Sequence, residues 1–359
     1  MKVLGIETSC DETAAAVVED GYRLLGNVVH SQIDIHAEYG GVVPEVAARS
    51  HIEVINPVIN HALADAKLTW DDIDAIAVTY APGLIGSLLV GTLVARTLAV
   101  LKNKPLYPIH HVEAHVYANF ITSQDTGRSL DLPSKQPEFP MLALIVSGGH
   151  SQIVLFHDHG KFELLGQTQD DAIGEAFDKV AKILGLPYPG GPSIAKAAME
   201  GNPHKYPFPT AKLKGSYDFS FSGLKTAVLR AVQREAGVPI DFPSGELAAR
   251  LDSATRADFA ASFQRTAVET LIETAKRAFD DYAPNSVVIA GGVAANQELR
   301  RLLSEKLPIK IEYAPPSLCT DNGAMIAALG FYYAQKHDPI NPLDLEVVPS
   351  LSMHKTVWA

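Results

Sequence analysis

The chain has 359 residues, 47% hydrophobic and 20% charged, with 26 Gly and 23 Pro. This composition suits many short elements joined by tight turns and excludes a largely disordered or fibrous protein; at this length two lobes are expected rather than one growing core. The formal net charge of −11 excludes nucleic-acid binding by bulk electrostatics, which needs Lys and Arg to displace counterions, so a nucleic-acid partner would have to meet a local basic patch.

The first seven residues, Met1-Lys2-Val3-Leu4-Gly5-Ile6-Glu7, reach a carboxylate before the apolar core of a signal peptide could form, and no uninterrupted run of about 18 apolar residues follows, so a cytoplasmic protein is expected. Cys10 and Cys319 are too few for a disulfide framework or a four-thiolate zinc site and are expected to be reduced. Val3–Glu7, the polar stretch Thr8-Ser9-Cys10-Asp11-Glu12-Thr13 and Ala14–Val18 read as strand, hairpin turn, strand, with residues 22–30 extending the meander. Residues 44–66 carry Val46, Ile52, Ile55, Val58, Ile59 and Leu63 at helical spacing. Residues 73–79 form a buried strand that turns through Ala81-Pro82-Gly83-Leu84-Ile85-Gly86-Ser87 into a helix ending near Leu101.

The run His110-His111-Val112-Glu113-Ala114-His115 puts two imidazoles four residues apart, on one face of a helix and close enough to share an ion. A zinc peptidase of the His-Glu-x-x-His type needs its Glu directly after the first His. Glu113 is two positions on and stands roughly 200° around a helix from His111, so peptidase chemistry is disfavoured. A third ligand must come from elsewhere. Asp321, in Thr320-Asp321-Asn322-Gly323-Ala324 ahead of an apolar helix from Met325 to Ala334, is the best-placed carboxylate, with helix capping as its alternative role.

Residues 122–140 are polar and proline-containing and mark a lobe boundary. The pattern then restarts: residues 142–146 as a strand, Ser147-Gly148-Gly149-His150-Ser151 as a turn and residues 152–156 as a second strand, echoing residues 3–18 and suggesting a duplicated α/β architecture. Pro187-Tyr188-Pro189-Gly190-Gly191-Pro192-Ser193 is a rigid turn after a helix containing Asp178, which could accept from sugar hydroxyls. A helix over 259–281, a strand over 287–290, Gly291-Gly292 and a helix over 297–306 complete a strand, glycine turn, helix pattern suited to a phosphate. Each glycine turn alone is also an ordinary hairpin or connector; neither matches the P-loop or the dinucleotide fingerprint. Basic residues cluster at Lys196, Lys205, Lys212, Lys214, Lys225, Arg230 and Arg234, as a nucleic-acid path or a solvated face.

In this order, Gly5-Ile6-Glu7-Thr8-Ser9-Cys10-Asp11-Glu12-Thr13, Gly40-Gly41-Val42-Val43-Pro44-Glu45, Ala81-Pro82-Gly83-Leu84, His111-Val112-Glu113-Ala114-His115, Val146-Ser147-Gly148-Gly149-His150 and Thr320-Asp321-Asn322-Gly323-Ala324 closely resemble the motifs of the universal tRNA threonylcarbamoyladenosine-forming transferases, once labelled glycoproteases. The resemblance spans nearly the whole chain. It implies a two-lobed α/β fold of the actin, sugar-kinase and Hsp70 type with duplicated ribonuclease-H-like lobes: residues 1–135 as the first lobe and 136–359 as the second, with the last helix, about 321–336, packing back across the first. It implies transfer of threonylcarbamoyl from threonylcarbamoyl-adenylate to N6 of the adenosine 3′ to the anticodon, position 37, in tRNAs reading codons that begin with A.

Carried over by position, His111, His115 and Asp321 resemble the ligands of one divalent ion, iron or alternatively zinc. Ile145, Val146, Ser147, Gly148, Gly149, Asp178, Gly191 and Asn296 resemble the adenylate-binding set. Asp11 resembles the group that orients or deprotonates the incoming amine, with Glu12 as its support. The resemblance further implies an inactive paralogue paired through the first lobe, an ATPase partner and an upstream synthase that makes the adenylate. Where many relatives carry an acidic residue after the Pro-Gly-Gly-Pro turn, this chain has Ser193-Ile194-Ala195-Lys196, removing one ribose contact. The rival readings are a nucleotide-dependent kinase or an ATPase scaffold of the same superfamily, neither of which needs His111, His115 and Asp321 to converge.

Overall fold

The computed structural model describes residues 1–122, 130–211 and 213–355, so part of the expected boundary loop, 123–129, and Lys212 of the basic cluster lie outside the described residues. The chain forms two compact units: Met1–Pro137 with Glu312–Ala359, and Glu138–Ile311. The sequence-based division put everything after residue 135 except one helix in the second lobe. The whole stretch from Glu312 onward instead belongs to the first unit. It is tied there by backbone bonds from Ile340 to Leu106, Val348 to Tyr80 and Gly83 to Pro349.

Unit 1 contains β1 (Lys2–Glu7), β2 (Glu12–Glu19), β3 (Arg23–Ser31), α1 (Ile33–Ala37), α2 (Pro44–Asp65), β4 (Ala75–Ala81), α3 (Ile85–Lys102), β5 (Leu106–His110) and α4 (His111–Tyr117). The sheet order is β3-β2-β1-β4-β5. β1, β2 and β3 form an antiparallel meander, while β4 and β5 add parallel to β1. The carboxyl ends of β1, β4 and β5 therefore lie side by side, where open α/β sheets place their chemistry. Strands β1 and β4 are buried almost throughout, matching their unbroken apolar sequences.

α2 starts with Pro44 in its first turn, where a missing N–H costs nothing. Its buried face carries Ile55, Val58, Ile59 and Leu63 as the spacing predicts. Ile52, assigned to the same stripe, is 64% exposed, because it lies off the face that meets the sheet. α3 is the one helix among the described residues long and apolar enough to cross a membrane by length and composition. Its Ser87, Leu88, Gly91 and Ala95 face is buried, and Arg96 donates to the carbonyl oxygens of Leu343 and Leu345, so it is an integral helix of unit 1.

Unit 2 contains β6 (Met141–Val146), β7 (Ser151–Asp158), β8 (Lys161–Gln167), α5 (Ile173–Leu184), α6 (Gly190–Ala198), α7 (Ser222–Glu235), α8 (Ser253–Tyr282), β9 (Ser286–Ala290) and α9 (Gln297–Lys306). Its sheet runs β8-β7-β6-β9, an antiparallel meander with β9 parallel to β6, so among the described residues it repeats the topology of the first four strands of unit 1. α6 begins inside the stretch expected to be only a turn, since proline and glycine suit the first turn of a helix as well as a loop. α8 starts six residues before the expected position, at the Asp252 cap that accepts from the Thr255 amide at 2.7 Å.

After unit 2 the chain re-enters unit 1 as α10 (Pro316–Cys319) and α11 (Gly323–Ala334). α11 is buried along most of its length and lies against β1, β2, β4 and α4. Glycine permits that approach: a Cβ on Gly5 of β1 would overlap the Gly323 carbonyl oxygen and the Ala327 amide, and one on Gly323 would come within 2.5 Å of the Ala16 amide. Gly5→Val should therefore destabilise the protein by about 1–3 kcal/mol, the usual cost of overpacking. Gly223→Ala, with nothing within 4 Å of the new Cβ, should stay within roughly 0.5 kcal/mol of the parent in the same denaturation experiment.

Candidate metal centre and nucleotide loops

β5 ends at His110 and α4 begins at once, so His111 and His115 occupy one face of a two-turn helix rooted at the carboxyl edge of the sheet. Their rings are 4.6 Å apart between centroids at 74°. Asp321, held just ahead of α11, has its Oδ1 3.6 Å from His111 Nε2 and 3.3 Å from His115 Nε2. One ligand atom from each of the three lies within 4.8 Å of the other two. Neither ring nitrogen of the buried His115 has a hydrogen-bond partner among the described residues, which an ion at Nε2 would relieve. Two imidazoles and one carboxylate fit a divalent transition metal and leave coordination positions open. Helix capping, the competing role for Asp321, falls instead to Asn322, whose side chain accepts from the Met325 amide at 3.0 Å.

A carboxylate that sequence reasoning passed over completes the centre. Glu7, the last residue of β1, is fully buried; its Oε2 lies 3.0 Å from His111 Nδ1 and 2.6 Å from Thr79 Oγ1 of β4, and its Oε1 accepts from the Ser9 amide. Burial opposes ionisation of Glu7, but His111 and these hydrogen bonds hold its carboxyl below the usual range. An ionised carboxylate only accepts, so His111 donates through Nδ1 and presents Nε2 to Asp321 and an ion. Burial also disfavours charge on His111, yet Asp321 and Glu7 outweigh it and lift the imidazole to about 9. An ion must therefore displace a proton from Nε2 at neutral pH. The signal in the sequence was a lone carboxylate ending an otherwise apolar strand.

Glu113 lies away from this set, as the helical geometry requires. It is fully buried and accepts from the Tyr333 hydroxyl of α11 at 2.6 Å, and burial raises its carboxyl to about 7. This bond fastens α4 to α11, and so the histidines to the helix behind Asp321. Asp11 and Glu12 sit half-buried at the turn into β2. Burial, then the charges of Asp321 and Asp11, push Glu12 up to about 9, and its Oε1 accepts from Ser31 Oγ at 3.1 Å. The charge of Asp321 thus reaches the acidic turn. Cys10 and Cys319 form no disulfide with each other, and burial with the nearby Asp11 carboxylate pushes the Cys10 thiol upward, away from thiolate reactivity.

In unit 2 the Ser147-Gly148-Gly149-His150 turn is closed by the Ser147 amide on the His150 carbonyl at 2.8 Å, leaving both glycines exposed. Ile145 and Val146 are fully buried at the end of β6 and lead into this turn. The amide of Gly174, at the start of α5, donates to the Ser147 carbonyl at 3.2 Å, and Gly291 packs with φ +89° against the Val146 carbonyl. One turn along α5, Asp178 accepts from the Gly190 amide at 2.7 Å, beside Gly191. α5 thus links both glycine loops along one face. Asp178 Oδ1 is engaged by that amide, and Asn296 caps α9 through Leu299 while donating to Gln264 at 2.9 Å, so both serve the scaffold of the loops as well as any ligand. Of the basic cluster, Lys205 pairs with Asp258, Lys225 with Asp171, and Arg230 donates to the Ile240 carbonyl, which withdraws all three from a free cationic path.

The family profile described as TsaD, tRNA N6-adenosine threonylcarbamoyltransferase, matches residues 23–328. The chain belongs to this family. Relatives so named from Thermomicrobium roseum and Symbiobacterium thermophilum are 51% and 49% identical, over 97% and 98% of this chain and 95% and 96% of theirs. In fold the chain is similar to HypF from T. kodakarensis, at TM-score 0.61 and 14% identity over 93% of this chain and 48% of that one. It is likewise similar to the Acidaminococcus fermentans (R)-2-hydroxyglutaryl-CoA dehydratase component A, at TM-score 0.50 and 16% identity over 94% and 100%. These likenesses are of fold, and they agree with the α/β architecture of the actin, sugar-kinase and Hsp70 type.

Glu7→Gln keeps the shape of the carboxylate but removes its charge. It should weaken metal binding about 10–100-fold in a competition titration against a chelator, with the fold retained.

Proposed function

We propose that this chain transfers a threonylcarbamoyl group to N6 of a tRNA adenosine, taking it from threonylcarbamoyl-adenylate and acting at position 37 of tRNAs that read codons beginning with A. The observation that carries the proposal is the convergence of His111, His115 and Asp321 in a chain of this family, since a kinase or an ATPase scaffold has no use for that ligand set. The exocyclic amine of adenine is a poor nucleophile and gains most from a base as its proton departs. Asp11 is assigned that work, orienting the amine and accepting the proton, and Glu12, lifted to about 9, supports it through the shared turn. An ion at His111, His115 and Asp321, iron or zinc, supplies Lewis acidity toward a carbonyl or phosphate oxygen when bound.

The adenylate is assigned to unit 2, with the Gly148 and Gly149 amides of the turn that Ser147 opens on its phosphate and the α5 face from Gly174 to Asp178, with Gly191 and Asn296, along the nucleoside. The exposed backbone of Gly148 and Gly149, with nothing within 4 Å of either added Cβ, supports that assignment. Incubation with tRNA lacking the modification, labelled threonine, bicarbonate, ATP and the partner proteins should label tRNA. His111→Ala with His115→Ala should lower that labelling about 100-fold or more, and labelling that persists in the double variant would remove the metal from the mechanism.

The partner reading is an inactive paralogue bound through the first lobe, with an ATPase and an adenylate-forming synthase acting in the same cytoplasmic pathway. α3 supports it: Ile85, Leu89 and Leu93, at four-residue steps, are 60%, 42% and 54% exposed, an apolar face of the kind that marks a protein contact. Leu89→Asp with Leu93→Asp should abolish co-elution with the paralogue and leave the bound metal unchanged; undiminished co-elution would move the contact elsewhere.

A further inference from the structure

One buried imidazole spans the turn that carries the acidic pair. His51 lies on α2 and is fully buried. Its Nε2 is 3.0 Å from the Cys10 carbonyl oxygen and its Nδ1 is 2.7 Å from Thr13 Oγ1, so the ring touches the residues on either side of Asp11 and Glu12. A carbonyl only accepts, which puts the ring proton on Nε2 and leaves Nδ1 to accept from the Thr13 hydroxyl. Burial pushes the His51 imidazole below its ordinary range, which keeps it in that neutral tautomer.

The rest of the turn is held from the same side. Ser87 Oγ donates a second bond to the Cys10 carbonyl at 3.1 Å, the Gln32 amide donates to the Asp11 carbonyl at 3.1 Å, and Ser31 reaches Glu12. Behind His51, Gln32 donates to the Ala47 carbonyl at 3.3 Å and its side-chain oxygen is 3.1 Å from His36 Nε2. His36 Nδ1 in turn accepts from the Val43 amide at 3.3 Å. A leucine could fill the volume of His51. Only a group with a donor on one edge and an acceptor on the other can bridge a carbonyl and a hydroxyl across the turn.

We propose that His51 is a positioning residue for the reaction: by clamping the Cys10 carbonyl and the Thr13 hydroxyl it sets the placement of the Asp11 and Glu12 carboxylates between them. The inference rests on the assignment of Asp11 to the incoming amine. It does not involve the metal ligands, which bond to neither nitrogen of His51.

The test uses the full chain with its partners, metal loaded, in the labelled-threonine assay, with kcat, KM for tRNA, bound metal and thermal midpoint measured for each variant. His51→Leu should lower kcat about 100-fold, the usual cost of a misplacement on the order of 1 Å, with KM and bound metal within about threefold of the parent. His51→Gln, which carries both a donor and an acceptor, should recover about tenfold of that loss. Thr13→Val, of nearly the same volume, should lower kcat in its own right and add little to His51→Leu, because both remove one clamp. It also carries the test should His51→Leu fail to fold.

Unchanged kcat in His51→Leu and Thr13→Val beside an inactive Asp11→Asn would overturn the clamp alone. A kcat loss that only tracks lost metal or lost folded protein, with no recovery in His51→Gln, would overturn it as well. Full activity of Asp11→Asn would instead sink the underlying assignment of the acidic pair.

Discussion

Asp321 meets the two imidazoles because the helix behind it lies almost on the backbone of β1. That approach needs hydrogen in place of a side chain at Gly5 and Gly323, and it sets α11 down across β1, β2 and β4. The Glu113 to Tyr333 bond then locks α11 to α4, on which both histidines stand. A ligand triad drawn from positions over two hundred residues apart is thus produced by main-chain packing and one buried hydrogen bond, before any ion is considered. Position matters here more than strength, since three ligands misaligned by an ångström lose most of their common affinity.

The same edge of the sheet concentrates charge. Glu7 and Glu12 both feel the charge of Asp321, and burial makes the ionisation of each of the two glutamates costly. The protein resolves this unevenly. Glu7 stays ionised because His111 and Thr79 bond to it, whereas Glu12, buried beside Asp321 and Asp11, is lifted to about 9. Neighbouring carboxylates driven apart in this way can divide roles, one taking a proton while another holds one.

Much of this was legible in the sequence, for identifiable reasons. The apolar runs of β1, β4, β6 and β9 are long and uninterrupted, so the strands declare themselves, and the restart after residue 140 exposes the repeated topology. The candidate metal triad was legible because an i, i+4 pair of histidines has few alternative uses, and because one carboxylate stands at the entrance of an apolar helix. Other features depend on tertiary neighbours. Nothing local distinguishes Glu7 from a strand-ending surface carboxylate until β5 brings His111 beside it. Nothing in α2 distinguishes His51 from a core histidine until β1 delivers the Cys10 carbonyl. Ile52 fits a helical stripe by spacing alone, and only the angle at which α2 meets the sheet turns it outward. The basic cluster looked continuous because sequence does not reveal that Asp171 and Asp258 occupy Lys225 and Lys205.

Unit 1 is assembled from two separated stretches of chain, with the whole of unit 2 threaded between them. During synthesis the histidines therefore emerge long before the carboxylate that completes their set, and the sheet they stand on remains bare on the face that α11 will cover. A chain that ends within unit 2 carries both histidines and the acidic turn, yet lacks Asp321 and the helix α11 that covers the sheet of unit 1. The convergence of His111, His115 and Asp321 thus waits on the synthesis of all of unit 2.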